Sequence, residues 1–194
     1  MDTSTVIGAT LGLGTITVAV YAVVLYNRLV SLKHCVSKAW SNIDVLLTQR
    51  HDELPKLVAV CKQYMGYEQE TLERVMDARA RVANAREQHD VRALGPAEAQ
   101  LRSGLGSLYA VVENYPDLKA NTTFVHLQDR ITSLESTIAD RREYYNESVN
   151  LNNIRIEQFP DVIIARRYGF EPFHLLEFSA QERADVDMGA LFAT

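Results

Sequence analysis

The stretch LVSLKHCVSKAWSNIDVLL, residues 29–47, decides the fold, because its apolar residues return every three or four positions. That spacing places them on one face of an α-helix, whereas a half-buried strand would alternate at every second position. The same spacing returns in later stretches that begin near Leu54, Leu101 and Phe124, without a convincing alternating segment. The sequence therefore predicts an all-α protein.

Directly before this stretch, residues 3–27 contain no charged side chain. An α-helix needs about 20 apolar residues to cross the hydrocarbon core of a bilayer, so the segment predicts an N-terminal transmembrane helix. A cleaved signal peptide is the alternative, but it would need a basic N-terminal region, and Asp2 is the only charged side chain there. Because Arg28, Lys33 and Lys38 follow the span, the positive-inside rule predicts an outer N-terminus and a cytoplasmic C-terminal part.

The first break after the span falls around Pro55 and has two readings. It is either a turn, with Asp52 or Glu53 as the cap of the next helix, or a kink in a continuous helix. The turn is a reasonable expectation, and both readings stay open at this point. Residues 88–96 are predicted to form a loop.

The later breaks follow from proline, asparagine and glycine. Pro116 ends the third helix within a break at residues 115–120, and Asn121 can cap a long fourth helix over residues 121–158. A shorter helix should open at Pro160 and end before Gly169.

Four amphipathic helices with short connections predict an antiparallel, up-and-down four-helix bundle that follows the transmembrane helix. We expect three parts in the chain. Residues 1–27 form the N-terminal segment and anchor, residues 28–170 form the cytoplasmic bundle, and residues 171–194 form an irregular tail.

Charge and cysteine content limit the classes of partner and site. Residues 28–194 carry 20 basic and 24 acidic side chains without a basic stripe, which argues against a nucleic-acid partner. Cys35 and Cys61 match neither a CxxC nor a zinc spacing, and they are expected to behave as small apolar core residues. No cofactor or metal site is predicted, and the five histidines offer no helical Glu-x-x-His pair.

Several segments of the sequence together resemble the LemA family. They are YNRLVSLKHCVSKAWSNIDV (26–45), LPKLVAVCKQYM (54–65), ETLERVMDARARV (70–82), ENYPDLKAN (113–121) and IRIEQFPDVIIARRYGF (154–170), of which ENYPDLKAN is the most specific. The resemblance implies a bacterial protein with an N-terminal membrane anchor and a cytoplasmic, antiparallel four-helix bundle. Its expected location is therefore the inner membrane. The resemblance supplies no enzymatic activity.

Polar residues on the apolar stripes form a first candidate site. A carboxylate that faces a helical core must be paired, neutral or bound to a cation, because burying it alone is costly. The predicted core polar network comprises Glu68, Arg79, Glu135, Arg142 and Tyr145. Its structural reading is an interhelical network that sets helix register, and its functional reading is a proton or ion site.

The exposed polar turn around Pro116 forms a second candidate site, because binding residues favour loops on rigid scaffolds. The predicted docking turn comprises Asn114, Tyr115, Asp117, Lys119 and Asn121. The leading reading of this turn is a plain helix connection in which Pro116, Asp117 and Asn121 stop and cap helices, and the docking surface is the second reading.

The absence of a recognisable nucleophile–base or metal arrangement favours a protein that is not an enzyme. We expect a membrane-anchored scaffold or assembly protein that self-associates or binds other membrane proteins. The alternative is a regulatory or sensor subunit of a membrane-associated enzyme such as a protease or kinase.

Self-association is expected near the membrane. Small residues in the span would let two helices approach closely, namely Gly8, Ala9, Gly12 and Gly14. A third helix over residues 97–114, about 27 Å long, would also leave apolar surface uncovered beside the anchor. A symmetric homo-oligomer is the expected outcome.

Overall fold

The computed structural model describes residues 3–177, and every regular element in that range is an α-helix. The all-α class is therefore confirmed for the described residues. The helices are α1 (Thr3–Tyr64), α2 (Gln69–Glu87), α3 (Val91–Val112), α4 (Pro116–Lys119), α5 (Thr122–Glu157) and α6 (Asp161–Tyr168).

Helix α1 runs through Pro55 without a break, so of the two readings the continuous helix is correct and the turn is wrong. A proline has no N–H, and its presence inside a helix leaves the carbonyl four residues earlier without its usual donor. That carbonyl belongs to His51, and the Nε–H of Arg79 on α2 donates to it over 2.9 Å. A side chain from another helix thus replaces the hydrogen bond that Pro55 removes.

The reversal of the chain lies ten residues later than expected, at Met65–Glu68. The Met65 amide still donates to the Cys61 carbonyl, and the Glu68 amide then closes a turn on the Met65 carbonyl over 3.2 Å. The apolar stripe that reads continuously from Leu54 to Val82 therefore belongs to two helices.

Helix α3 begins at Val91, inside the segment that was predicted as a loop over residues 88–96. The Asp90 carboxylate accepts hydrogen bonds from the amides of Arg92 and Ala93, both at 3.0 Å, which is the usual N-cap arrangement. Pro96 lies in the second turn and does not end the helix. At 22 residues, α3 is about 33 Å long, longer than the 97–114 segment.

The connections around α4, α5 and α6 follow the predicted signals. Pro116 occupies the first turn of α4, and the Asn121 side chain accepts the Phe124 amide at 3.0 Å, which caps α5. Gly169 ends α6 in the left-handed conformation, with φ of 69°. The roles predicted for Asn121 and Gly169 are confirmed. Pro116 does not itself end α3, which stops at Val112, but begins the short helix α4 within the predicted break.

The chain divides into two compact units, and α1 and α5 contribute residues to both. Unit 1 contains the residues up to Ser41 together with Tyr144–Phe173, and unit 2 contains Asn42–Glu143 with the residues from His174 onward. The predicted boundaries at residues 27 and 170 are not tested by this division and stay a prediction.

The core of unit 1 forms where α1, α5 and α6 meet. Leu29 of α1 packs with Ile156 of α5 and Ala165 of α6, and Ile164 and Phe170 cover this cluster. Further along unit 1, the Trp40 ring lies edge-on to Tyr145, with 5.9 Å between centroids.

The core of unit 2 is made by the stripes that the sequence singles out. Its buried side chains include Ile43, Leu47, Leu54, Leu57 and Cys61 of α1, Leu72, Val75 and Val82 of α2, Leu101, Leu105 and Leu108 of α3, and Phe124, Ile131 and Ile138 of α5. Burial raises the pKa of the Cys61 thiol to about 11, so it stays a neutral, small apolar group. Gly104 of α3 brings the helix close to Val75 of α2, since a Cβ there would lie 3.6 Å from the valine side chain.

After α6 the described chain has no helix or strand up to residue 177. The Asn153 side chain holds the backbone of Phe173 by both its groups: Nδ2 donates to the Phe173 carbonyl at 2.9 Å, and Oδ1 accepts its amide at 3.0 Å. Leu176 is buried. The rest of the predicted tail, residues 178–194, lies outside the described residues, as do Met1 and Asp2 of the N-terminal segment.

The first third of α1 differs from the rest in its exposure. Among the described residues, α1 is the one helix that is long and apolar enough to cross a membrane, judged by length and composition. Apolar side chains such as Leu11, Leu13, Ile16 and Val20 are exposed there, whereas from Leu25 onward the same helix buries one face.

The bond between Arg79 and His51 makes a testable prediction. Arg79→Met leaves the His51 carbonyl without a donor, which should lower the free energy of unfolding by about 1–3 kcal/mol. In a Pro55→Ala background the loss should be smaller, because the backbone amide restored at position 55 can take over the carbonyl. Urea unfolding of the full chain in detergent micelles measures the four variants of this cycle.

Arg86→Met is the matched control, because Arg86 contacts Thr48 and Asp44 of α1, which Pro55 does not affect. Its cost should be the same in both backgrounds. An equal cost for Arg79→Met in both backgrounds would contradict the proposed substitution of one hydrogen bond for another.

Candidate functional site

Unit 2 contains a set of charges that we call the central polar cluster: Arg50, Glu98 and Arg142, which are buried, and Arg102 and Glu135, which are half-buried. Arg50 of α1 and Glu98 of α3 form an ion pair with side chains that are only 3% and 4% exposed. Both residues lie on apolar stripes, since Arg50 falls between Leu47 and Leu54, and Glu98 between Leu94 and Leu101. This burial means that neither charge can exchange its partner for water.

Glu135 and Arg142 of α5 belong to the same cluster. Burial raises the pKa of Glu135 above its ordinary value, while the guanidinium groups of Arg50 and Arg102 act in the opposite direction and Glu98 adds to the rise. Burial likewise lowers the pKa of Arg142, against the favourable influence of Glu98. The Oε1 atom of Glu135 is buried and accepts no hydrogen bond from a described residue. The cluster can therefore hold a proton on Glu135 more readily than an exposed carboxyl would.

The other three members of the predicted core polar network lie elsewhere. Arg79 contacts His51, donating to its backbone carbonyl and to its ring Nε2 over 2.6 Å. Because a guanidinium only donates, Nε2 must accept, which requires a neutral ring. Burial and the nearby Arg79 both lower the pKa of His51 and favour that neutral form.

Glu68 and Tyr145 are also outside the central polar cluster. Glu68 is half-buried in the turn before α2, where its carboxylate accepts from the Tyr115 hydroxyl at 3.5 Å, the polar side-chain contact described for it. It therefore does not pair with Arg79 or Arg142. Tyr145 lies in unit 1 beside Trp40, and burial raises its pKa to about 12.

The prediction missed Arg50 and Glu98 for an identifiable reason. A turn at Pro55 separates Arg50 from Leu54, and a loop over residues 88–96 separates Glu98 from Leu94. With those breaks, neither charge lies between two leucines of one helix. With α1 and α3 extended, the three-and-four spacing alone places both charges among leucines.

The predicted docking turn packs against the turn that follows α1. Asn121 donates from Nδ2 to the Tyr64 hydroxyl at 3.1 Å, and Tyr115 donates to Glu68. Leu118 is buried between these contacts. Asn121 and Tyr115 therefore hold two turns of unit 2 together, which is the structural role expected of a helix connection.

The remaining members of the docking turn face outward. Asn114, Asp117 and Lys119 are exposed, and Lys119 reaches Glu113 only at 3.9 Å, at the surface. These are the side chains of the turn that a partner could contact.

A cavity of about 450 Å³ lies beside this end of unit 2, between α1 and α2. Its apolar wall includes Val58, Met65, Leu72 and Met76, and charged side chains such as Lys62 and Glu73 line it as well. Unbranched methionines adapt to different ligand shapes, so this wall suits an apolar side chain from a partner. Elsewhere in the described range, no three His, Cys, Asp or Glu residues lie close enough together to hold a metal ion.

Comparison with known proteins settles the family. A sequence profile of the LemA family matches residues 39–189, which is more than half of the chain and includes the central polar cluster and the docking turn. The chain belongs to the LemA family. Within this LemA-family chain, the match starts in unit 1 and continues through unit 2.

Relatives of known name show the same membership. The magnetosome protein MamQ 2 of Paramagnetospirillum magneticum is 27% identical over 169 residues, covering 75% of this chain and 62% of that protein. The protein LemA of Metamycoplasma hominis is 28% identical over 167 residues, with 85% and 74% covered. The magnetosome protein MamQ of Magnetospirillum gryphiswaldense is 24% identical over 175 residues, with 77% and 64% covered. The LemA-family chain thus spans less than two thirds of the length of these magnetosome proteins.

The ion pair of the central polar cluster makes the second prediction. Glu98→Ala leaves the Arg50 cation buried without its partner and should lower the free energy of unfolding by about 3–5 kcal/mol. Replacing both residues by apolar ones, as in Arg50→Met with Glu98→Leu, should recover most of that loss, because no charge stays buried alone.

The control is the exposed pair Arg74–Glu70 on α2, with side chains 58% and 87% exposed. Glu70→Ala should change stability by less than about 1 kcal/mol. Chemical unfolding followed by circular dichroism measures all of these variants; a loss for Glu98→Ala no larger than for Glu70→Ala would show that water reaches the pair.

The third prediction concerns the pH dependence caused by Glu135. Because its pKa is raised in the folded state, the folded protein binds the proton more tightly than the unfolded chain. Folding stability due to this group is therefore present below the unfolded pKa, near 4, and is lost as pH rises through the raised folded pKa.

Glu135→Gln removes this titration while keeping a neutral side chain of similar shape. The variant should resemble the unsubstituted protein at acidic pH and gain stability relative to it as the pH rises to neutrality. Unfolding midpoints measured across this range, with Glu143→Gln at an exposed position of α5 as the control, provide the check. A difference that is independent of pH would contradict the raised pKa.

Proposed function

We propose that this LemA-family protein is a non-enzymatic, membrane-anchored scaffold that self-associates and binds other membrane proteins. The observation that carries the proposal is the change of exposure along α1. From Leu11 to Val24 its apolar side chains are exposed, apart from half-buried Ala22, in a segment without charge. From Leu25 onward the same helix contributes buried side chains to both units. In water such a segment would expose an unusually large apolar surface, whereas in a bilayer the hydrocarbon core surrounds that surface.

The proposed location is the bacterial inner membrane, crossed once, with the N-terminus outside and the helical part in the cytoplasm. Arg28, Lys33 and Lys38 are exposed on the C-terminal side of the apolar segment, where the positive-inside rule retains them. The hydroxyls of Thr15 and Thr17 bond to carbonyls of their own helix, which lowers the cost of placing them in hydrocarbon.

We further propose that the cytoplasmic part is an antiparallel, up-and-down four-helix bundle. Contacts of unit 2 support this arrangement. Asp44 and His51 of α1 meet Arg86 and Arg79 of α2, so numbers rise along one helix as they fall along the other. Glu53–Arg130 and Tyr64–Asn121 relate α1 and the start of α5 in the same way.

Self-association through the span is supported by its glycines. A Cβ added at Gly8, Gly12 or Gly14 would meet nothing within 4 Å, so these positions leave the backbone open to a neighbouring helix. In lipid, such small positions let helices approach closely and pack. The side chain of Ala9, the fourth small residue of this set, lies outside the described side chains.

Binding of other proteins is supported by the end of unit 2 that carries the docking turn. There the exposed Asn114, Asp117 and Lys119 lie on a turn held by buried Leu118, and the methionine-lined cavity is part of the same unit. A rigid turn with free polar side chains and an apolar recess offers both orientation and burial to a partner.

A regulatory or sensor subunit is the second candidate function, and the continuity of α1 favours it. The same helix carries the apolar segment and His51, with its neutral ring and its bond to Arg79. A change of tilt at the membrane would therefore reach these contacts through one backbone.

The fourth prediction tests self-association. The intact protein extracted in mild detergent should give particles larger than one chain by mass photometry. Gly12→Leu should reduce their size, because a large side chain separates the helices. The control is Leu13→Ile, which keeps an exposed apolar side chain. An intact protein that is monomeric at every accessible concentration, and that crosslinks to no other membrane protein in cells, would refute the scaffold proposal.

The fifth prediction tests topology. A reporter that works only in the cytoplasm should be active when it is fused after Thr194. A reporter that works only in the periplasm should be silent at the same position. Replacing Arg28, Lys33 and Lys38 by Gln should weaken this preference, because the retained positive charge is removed. The control is Gln substitution at Arg74, Arg81 and Arg92, which lie far along the chain from the apolar segment. A periplasmic signal from the unsubstituted protein would reverse the assignment.

A further inference from the structure

The end of the apolar segment of α1 is already covered by other parts of unit 1. Leu25 is only 4% exposed, although the sequence places it within the charge-free residues 3–27. The next residue, Tyr26, packs its ring against Tyr168 and Phe170, with centroids 4.9 and 5.9 Å away. Leu29, one turn further, clusters with Ile156 and Ala165. Helix α6 and the end of α5 therefore reach the level at which the apolar segment ends.

At that level, unit 1 exposes an unusual number of large apolar side chains. Phe159, in the turn between α5 and α6, is 81% exposed, and Ile163 and Tyr168 of α6 are more than half exposed. Ile154, on the last turns of α5, is exposed as well. We call these four residues the α6 apolar patch. In water such a patch would be costly, because each of the four side chains is more than half exposed, including Tyr168 despite its contact with Tyr26.

Positive charge accompanies the α6 apolar patch. Residues 154–168 carry three arginines and two acids, and one of the acids, Asp161, is buried 3.8 Å from Arg155. Arg166 and Arg167 are exposed, and the Arg167 guanidinium lies 5.8 Å from the centre of the Tyr168 ring. Exposed arginines next to aromatic and aliphatic side chains are typical of helices that lie in the headgroup layer of a membrane.

We propose that α6 and the preceding turn form a second membrane contact, an interfacial helix whose patch enters the lipid surface beside the span. The inference rests on the proposed membrane anchor and goes beyond it, because it assigns a lipid-binding surface to residues far from the N-terminus in sequence. The occupant is an anionic phospholipid surface. Phe159 and Ile163 contact the upper acyl chains, and Arg166 and Arg167 contact the phosphates.

Position along α1 is what selects lipid over a protein partner. Leu25 and Tyr26 lie within about 3 Å of the end of the charge-free segment, at 1.5 Å per residue. The headgroup layer on each side of the hydrocarbon core is about 5–8 Å thick. Ring contacts fix the α6 apolar patch to Tyr26, so the patch lies at the depth where the headgroups begin. At that depth its surroundings are lipid.

The test uses the full-length protein reconstituted into vesicles of phosphatidylethanolamine and phosphatidylglycerol. Trp40, the single tryptophan, is first replaced by Phe, and three separate reporters are then introduced: Phe159→Trp, Tyr21→Trp and Tyr67→Trp. Phospholipid brominated near the carbonyl end of its acyl chains quenches tryptophan fluorescence on contact. Tyr21 reports on the anchor, and Tyr67, fully exposed in the turn after α1, is the control position in unit 2.

The expected result is strong quenching of Phe159→Trp and Tyr21→Trp, and none of Tyr67→Trp. Quenching of Tyr21→Trp without quenching of Phe159→Trp would overturn the second contact and leave the anchor intact. Lack of quenching in both would overturn the anchor and the second contact together. An emission change of Phe159→Trp that follows protein density and ignores the brominated lipid would show that a second copy covers the patch, which also overturns the inference.

Substitution of the arginines gives a further readout in the Phe159→Trp background. Arg166→Glu with Arg167→Glu should reduce the quenching, because negative side chains are repelled by the anionic lipid. The matched pair Arg74→Glu with Arg81→Glu, on the exposed surface of α2, should leave it unchanged. Equal effects of the two pairs would overturn the assignment of Arg166 and Arg167 to the lipid surface.

Discussion

One continuous backbone, that of α1, has to satisfy two different environments. From Leu11 to Val24 its side chains are uncharged and, apart from half-buried Ala22, exposed, and beyond Leu25 one face alone is buried. A helix can make this change without interruption because its backbone hydrogen bonds are internal, whatever surrounds the side chains. The rest of the described fold depends on it, because α1 supplies core residues to both units, and the contacts of Pro55, Arg50 and Tyr64 all lie on it.

Buried charge distinguishes unit 2 from a purely apolar core. Arg50 and Glu98 form an ion pair, and burial shifts the pKa of Glu135 upward and that of Arg142 downward. Such a cluster is weak as a source of stability, since hydrophobic replacements often do as well. It constrains register instead, because sliding one helix by a turn would leave a charge among leucines without its partner.

Local rules account for much of the architecture. The stripe from Leu29 to Leu47, the cap at Asn121 and the left-handed Gly169 all follow from short-range chemistry that the sequence displays. Pro55 could not be read in this way, since the donor that replaces its missing N–H comes from Arg79, 24 residues further along the chain. The cluster around Arg50 was missed for a related reason: its members come from three helices, and a sequence shows which residues share a face but not which faces meet.

The side chain of Asn153 holds Phe173 as a peptide group of a neighbouring strand would, with one donor and one acceptor used at once. An aspartate at this position could not make both bonds, because an ionised carboxylate has no N–H to donate. Spontaneous hydrolysis of an asparagine amide exchanges its NH₂ for an oxygen, which here would face the Phe173 carbonyl with a like partial charge and no proton between them. Slow chemical ageing of this one side chain would therefore remove a bond between α5 and the segment after α6 while leaving the backbone of the helices unchanged.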